Sequence, residues 1–274
     1  MRDITLGQFY PGDSVLHRMD PRAKLILLVL YITVTFIASS AGAFALVIAV
    51  TVTMMILSRI PLRVYLRGMR PILFVIIFTT LINIFMTRGE TPLFEAWIFR
   101  IYKEGLMSAL LVIMRVSLLV LGSGIFLTYT TSPISLTDGL ETLLAPLKKI
   151  HVPVHEFSMM MTIALRFIPT LIEETDKIMS AQKARGADFS SGGLIARAKA
   201  LLPVMIPLFV SAFKRADELA IAMECRCYRG GEGRTRMKIL RYGSLDIAIM
   251  ICGVLFAALV IAINIRFPLY RLKR

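Results

Sequence analysis

Residues 25–58 read LILLVLYITVTFIASSAGAFALVIAVTVTMMILS, 34 residues without a charge between Lys24 and Arg59. As one α-helix this stretch would be about 51 Å long at 1.5 Å per residue. A bilayer's hydrocarbon layer is only about 30 Å thick. Ser39-Ser40-Ala41-Gly42, near the middle, has the composition of a tight turn. The stretch therefore predicts two short membrane spans, 24–39 and 42–58, accommodated by tilting or by local thinning of the bilayer. The reading extends outward. Arg70 and Arg88 enclose 17 uncharged residues, Asp246 and Arg266 enclose 19, and Gly105 to Thr137 carries one charge, Arg115. Spans at 71–86, opening on Pro71 as a first helical residue, at 105–131 and at about 245–264 complete a set of five. The expected fold class is an all-α, polytopic membrane protein.

Composition agrees. Hydrophobic residues make up 57% of the 274, and mean hydropathy is +0.73. The net charge of +14 would suit a nucleic-acid partner if it were spread over one face. Here the cations sort into loops instead, so no nucleic acid is expected. Arg59, Arg63, Arg67 and Arg70 share one loop without an acid, whereas the loop from Arg88 to Glu104 balances three cations with Glu90, Glu95 and Glu104. The positive-inside rule places the first loop in the cytoplasm and the second outside. Five spans then leave the C-terminal Arg266, Arg271, Lys273 and Arg274 outside, against the rule; the two short internal loops decide the orientation. Met1 to Asp20 is polar and does not resemble a cleavable signal. Cys225, Cys227 and Cys252 are an odd set, the first two facing a reducing compartment, so no disulfide framework is expected.

Residues 132–242 form a separate segment between the fourth and fifth spans, with 1–131 and 243–274 as the membrane parts. It holds 16 of the 32 Lys and Arg and 11 of the 18 Asp and Glu. Leu136, Leu140, Leu143, Leu144 and Leu147 fall on one helical face. Two longer helices follow on a shared plan. The first is apolar over Phe157–Leu165, turns polar after Arg166 and Pro169, and ends at Ala184-Arg185-Gly186. The second is apolar over Ala200–Phe213, with Pro203 and Pro207, turns polar from Lys214, and ends at Cys225-Arg226-Cys227. Asp176 precedes Arg185 by nine residues and Asp217 precedes Arg226 by nine, and Ala181 matches Ala222: a weak internal repeat. The apolar halves are too short to span and are expected at the interface or buried against other helices, with the polar halves projecting into the cytoplasm.

The two arginine ends admit two readings. A guanidinium is a rigid fork of donors suited to carbonyl or carboxylate groups of a partner protein. A cation in a last helical turn also offsets the helix dipole, with glycine favoured just beyond it. Arg115, within a span, reads either as functional or as bonded to neighbouring carbonyls. His151 and His155, with Val152-Pro153 between them, lack the second histidine of a metalloprotease helix, and Cys225 and Cys227 lack further ligands, so no metal site is expected. The sequence has no P-loop, nucleophile elbow or paired catalytic carboxylates, so neither ATP hydrolysis nor another catalytic role is expected of this chain.

The N-terminal stretch Tyr10-Pro11-Gly12-Asp13-Ser14-Val15-Leu16-His17-Arg18-Met19-Asp20-Pro21-Arg22-Ala23-Lys24 resembles that of the T component of energy-coupling-factor (ECF) transporters, the EcfT/CbiQ family. The triplets at Arg185 and Arg226 look like that family's two Ala-Arg-Gly motifs, with cysteines replacing alanine and glycine in the second. The resemblance implies a non-catalytic scaffold, without cofactor, in a prokaryotic plasma membrane. Its cytoplasmic domain would comprise three helices, two of them long crossing coupling helices. Ala184, Arg185, Gly186, Cys225, Arg226 and Cys227 would dock two ABC-type ATPases, one motif per ATPase. The membrane helices would hold a substrate-binding S component for a vitamin or metal ion. The permease of an ordinary ABC importer would dock its ATPases through a single short coupling helix, and a membrane enzyme would need a convergent catalytic set; neither is found in the sequence.

Overall fold

Asp20 and Pro21 begin the first long helix in the way their chemistry dictates. The Asp20 carboxylate accepts the Arg22 N–H at 2.9 Å, and Pro21 occupies a first-turn position that needs no donor. The computed structural model describes residues 9–86, 92–96, 99–189, 191, 193–230 and 240–266. In chain order these form α1 (Val15–Arg18), α2 (Pro21–Ile37), α3 (Ala41–Ser58), α4 (Leu62–Met86), a two-stranded antiparallel ribbon of β1 (Pro92–Ala96) and β2 (Phe99–Tyr102), α5 (Lys103–Ser123), α6 (Pro133–Leu144), α7 (Val154–Ala184), α8 (Leu194–Cys225) and α9 (Ser244–Arg266). A π turn, Gly124–Tyr129, prolongs α5, and a 3-10 turn, Ala145–Ile150, follows α6. The fold is that of an all-α polytopic membrane protein, with the ribbon confined to the loop between α4 and α5. Most of the C-terminal tail lies outside the described residues.

The chain divides into two compact units, Met1–Leu140 with Leu240–Arg274, and Glu141–Ile239. In the first, α2 packs on α5 and α9, α3 on α9 and α5, and α4 on α5. Ala23, Leu27, Tyr31 and Val34 of α2 are buried with Phe44 and Val47 of α3, Leu118 of α5 and Val260 of α9. Between helices in lipid, close packing and hydrogen bonds hold such a core, because the tails are as apolar as leucine. One oxygen does much of this tying. The Tyr31 hydroxyl donates to the Leu118 carbonyl at 3.0 Å and lies 2.8 Å from the Thr51 hydroxyl, joining α2, α3 and α5. Gly122 admits the ring: a Cβ there would sit 2.1 Å from Tyr31 Cε1.

The expected break in the 34-residue apolar run is present, with α2 ending at Ile37 and α3 starting at Ala41. Ser40 caps α3 by accepting the Ala43 N–H at 3.1 Å. The rest of the turn is held from α9. Asn264 Oδ1 accepts the Ser39 and Ser40 N–H groups at 3.0 and 3.1 Å and the Ser39 hydroxyl at 2.7 Å, while Nδ2 donates to the Ile37 carbonyl at 2.7 Å. Arg115 serves the same corner. Its Nη2 donates to the Ala38 carbonyl at 2.9 Å and its guanidinium lies 5.6 Å from the Phe44 ring centre, which is the carbonyl-bonded reading.

Several expectations are corrected. Pro71 is not a first helical residue but lies inside α4, which begins nine residues earlier at Leu62. The prolines of the long helices do not break them either: α7 runs through Pro169 and α8 through Pro203 and Pro207. A proline inside a helix deprives the carbonyl four residues back of its partner. For Pro207 that carbonyl is Pro203 O, and Gln182 of α7 reaches it through Nε2 at 3.4 Å. The leucine face of α6 is not its buried face: Leu140, Leu144 and Leu147 stay exposed, and Gly139 instead comes against Pro21. By length and composition the helices able to cross a membrane among the described residues are α3, α4, α5 with its π turn, α8 from Ile195, and α9. The 17-residue α2 falls just short, near the lower limit of about 17 apolar residues. α8, expected to be too short, meets the criterion because its helix is continuous through the prolines.

Asn264→Leu is expected to leave the Ser39 and Ser40 N–H groups without acceptors in an apolar surrounding. The cost should be about 1–3 kcal/mol, read as a lowered thermal midpoint of the full chain in mild detergent.

Candidate docking site at the two arginine-tipped helix ends

α7 and α8 end in the same backbone motif. At the end of α7, Arg185 occupies the C-cap, the Gly186 N–H bonds the Lys183 carbonyl at 3.0 Å, and the Ala187 N–H bonds the Gln182 carbonyl at 3.0 Å. Gly186 has φ +88°. At the end of α8, Arg226 occupies the C-cap, the Cys227 N–H bonds the Glu224 carbonyl at 2.8 Å, and the Tyr228 N–H bonds the Met223 carbonyl at 3.0 Å. Cys227 takes the left-handed position at φ +56°. Both are Schellman endings, in which the main chain satisfies its own last carbonyls. The cysteine that departs from the sequence pattern therefore keeps the glycine's geometry, at a steric cost of about 1–2 kcal/mol for a side chain in that region.

This geometry bears on the choice between capping and docking. The backbone performs the capping. Arg185 and Arg226 are exposed, and among the described residues neither guanidinium has a hydrogen-bond or ion-pair partner. Two uncommitted forks thus stand at structurally equivalent positions. Ala184, Gly186, Cys225 and Cys227 beside them are exposed as well. Cys225 and Cys227 are free thiols.

The pairing of the two helices places these ends. Glu174 of α7 accepts from Ser211 Oγ and from Arg215 Nη2 of α8, the latter at 2.8 Å. Eight residues further along α7, Gln182 meets Pro203, eight residues back from Ser211. The helices are antiparallel. Their polar ends point in opposite directions rather than projecting together, and the polar half of α7 meets the apolar half of α8 at Gln182 and Pro203. Arg185 stands eleven residues beyond Glu174, and Arg226 eleven beyond Arg215. About 33 Å of helix axis therefore separates the two arginines, with the ion pair midway.

The midpoint has a further property. The offset that relates Arg185 to Arg226 and Asp176 to Asp217 also relates Glu174 to Arg215 and Glu173 to Lys214. Glu174 and Arg215 are thus equivalent residues of the repeat that bond each other with their charges reversed. The sequence reading followed the repeat toward its tips and passed over this pair, although the same offset reveals it. The Ser211 hydroxyl first, and the Arg215 guanidinium beside it, hold the Glu174 carboxyl below its ordinary range. The contact is therefore intact at neutral pH and weakens as pH falls through that lowered value.

Elsewhere in this unit the imidazole of His155 pairs through Nδ1 with Glu141 at 2.9 Å, not with His151, whose φ of +63° ends the 3-10 turn. No group of three or more His, Cys, Asp or Glu side chains able to hold a metal ion occurs among the described residues.

Residues 12–239 match the family described as CbiQ, cobalt transport protein. The chain is 51% identical over 267 residues to the energy-coupling factor transporter transmembrane protein EcfT of Ruminiclostridium cellulolyticum, covering 97% of this chain and 99% of that one. It is 48% identical to the EcfT of Clostridium kluyveri, covering 94% and 96% of the two chains. Against the EcfT of Bacillus subtilis it is 46% identical, with 94% and 97% covered. Matched in sequence over nearly their whole length, these relatives and the helical fold lead to one conclusion: the chain belongs to the CbiQ family of transport proteins, as a transmembrane component of an ECF transporter.

Proposed function

We propose that this component is the non-catalytic scaffold of an ECF-type ABC importer, coupling two ATPase subunits to a substrate-binding S component for a vitamin or a metal ion. The polar parts of residues 132–242, with the ends at Arg185 and Arg226, stand on the cytoplasmic side of a prokaryotic plasma membrane. Arg185, flanked by Ala184 and Gly186, docks one ATPase, and Arg226, flanked by Cys225 and Cys227, docks the other. What carries this reading is the pair of identical Schellman endings, each presenting an unpartnered arginine, at opposite ends of one antiparallel helix pair. Two equivalent ends suit two similar subunits. An antiparallel pair converts a change in separation of those subunits into relative motion of α7 and α8. Exposed apolar side chains along α8, among them Met205, Ile206, Phe209 and Phe213, give that motion a surface on which to act in the membrane component. Each nucleotide state must make different contacts for such coupling to exist.

Replacing both arginines, Arg185→Ala with Arg226→Ala, is expected to abolish co-purification of the ATPases and substrate uptake in cells. Full uptake with retained ATPases would falsify the docking assignment. Cys227→Gly is expected to preserve docking and to raise stability by up to about 1 kcal/mol, seen as a higher thermal midpoint. Loss of docking in that variant would show that the thiol, not the left-handed backbone, matters. Glu174→Arg and Arg215→Glu should each reduce coupled uptake by juxtaposing like charges. The combined swap should recover most of it, whereas a double variant as poor as the singles would remove the ion pair from the account.

A further inference from the structure

The first turns of α4 carry a basic stripe that pairs with no acidic side chain among the described residues. Arg63, Arg67 and Arg70 fall within an arc of about 60° on the helix wheel, and Tyr65 lies about 170° from its middle. Tyr65 is fixed: it is 1% exposed, its hydroxyl lies 2.6 Å from that of Ser58, and its ring stands edge-on to Tyr129 at 5.1 Å. That anchor turns the three arginines outward. Arg59, left-handed at φ +56°, ends α3 just before them. All four are exposed, and among the described residues none of their guanidinium groups has a hydrogen-bond or ion-pair partner. No acidic residue occurs in the sequence between Asp20 and Glu90.

The flank of the stripe is apolar. Leu62, Leu66 and Leu73 are 61%, 57% and 47% exposed. They lie between the arginine stripe and the anchored Tyr65 on the wheel. α4 has 25 residues, about 37 Å of helix, against a hydrocarbon layer of about 30 Å. The surplus falls before Pro71, since the residues after it are uncharged to the helix end. Leucines beside arginines at this depth match a helix segment lying in the headgroup layer. Arginine, used at all four positions, presents a planar fork that fits a phosphodiester in two-point contact, which lysine cannot match.

We propose that Arg59, Arg63, Arg67 and Arg70 form a binding surface for anionic phospholipid headgroups. The leucine flank would be seated among the upper acyl chains of the same lipids. The assignment is independent of ATPase docking, because it requires only insertion in a bilayer. The committed occupant is lipid rather than an acidic protein, since the charge stripe and the exposed leucines are adjacent on one helix that also enters the membrane.

The test uses the purified full chain in mild detergent with equal amounts of phosphatidylglycerol and phosphatidylcholine, and native mass spectrometry to count retained lipids. The wild-type chain should retain phosphatidylglycerol in preference by about a hundredfold, and each arginine removed should cost about fivefold. Arg63→Gln with Arg67→Gln and Arg70→Gln should bring the two lipids to parity while phosphatidylcholine retention stays unchanged; the corresponding lysine variants should keep an intermediate preference. Equal retention by the wild type, or an undiminished preference in the glutamine variant, overturns the proposal. So does loss of a co-purifying acidic protein from that variant at an unchanged lipid ratio. Should the glutamine variant not fold, salt decides on the wild type alone: high salt collapses the preference at a headgroup surface and leaves it intact in an acyl-chain groove.

Discussion

Where a chain leaves a helix inside or at the edge of a bilayer, its last carbonyls and first N–H groups lose their partners, and no water replaces them. This protein meets that demand with side chains from distant parts of the sequence. Asn264 closes the turn between α2 and α3. Lys24 donates to the Thr130 carbonyl at 2.7 Å, where the π turn ends. Asp246 accepts the N–H groups of Asp20 at 3.0 Å and Gly243 at 2.8 Å, so one carboxylate serves the starts of both α2 and α9. Apart from the bond of Gly243 to Asp246, each of these joins elements that are far apart in sequence.

The N-terminal stretch gains a physical explanation from the same demand. In Asp20-Pro21-Arg22-Ala23-Lys24, Asp20 caps α2 and pairs with Arg22 at 2.8 Å, and Pro21 needs no donor. Arg22 lies 4.1 Å from the Tyr242 ring centre, ahead of α9, and Ala23 is fully buried. Lys24 reaches the far side. Upstream, the Tyr10 N–H bonds the Tyr129 carbonyl at 3.1 Å, and His17 bonds both Ser14 and the Tyr10 carbonyl. Ser14, His17, Asp20, Arg22 and Lys24 are thus each tied by a side-chain contact within a run of eleven residues.

The helices and their breaks were legible because they rest on local rules: runs without charge, a Ser-Ser-Ala-Gly turn, a repeated approach to an arginine. The errors came where tertiary contacts override those rules. Pro71 and Pro207 read as helix punctuation, but a proline costs a helix one bond, and a neighbour such as Gln182 can take up the freed carbonyl. The leucines of α6 have helical spacing, but spacing says only that they share a face, not that anything covers it. The antiparallel sense of α7 and α8 could not be read from two separate amphipathic patterns, since it depends on which residues meet. Of the candidate site, the arginines and their order were visible. Their uncommitted state was not, because it follows from main-chain bonds at Gly186 and Cys227.

The charge reversal at the Glu174–Arg215 pair bears on how α7 and α8 stay paired. Two copies of one helix packed about a dyad would bring identical residues together at the axis. Two glutamates or two arginines there would repel. Glu174 in α7 against Arg215 in α8 removes that conflict and reverses its sign. It also makes the pairing selective, because α7 with a second α7, or α8 with a second α8, restores the like-charge contact at the same point. Specificity of this kind rests as much on what the wrong pair would suffer as on what the right pair gains. A partly exposed ion pair contributes little to stability on its own. Its larger consequence is register: it fixes where along each helix the two cross, and through eleven residues on either side it fixes the separation of Arg185 from Arg226.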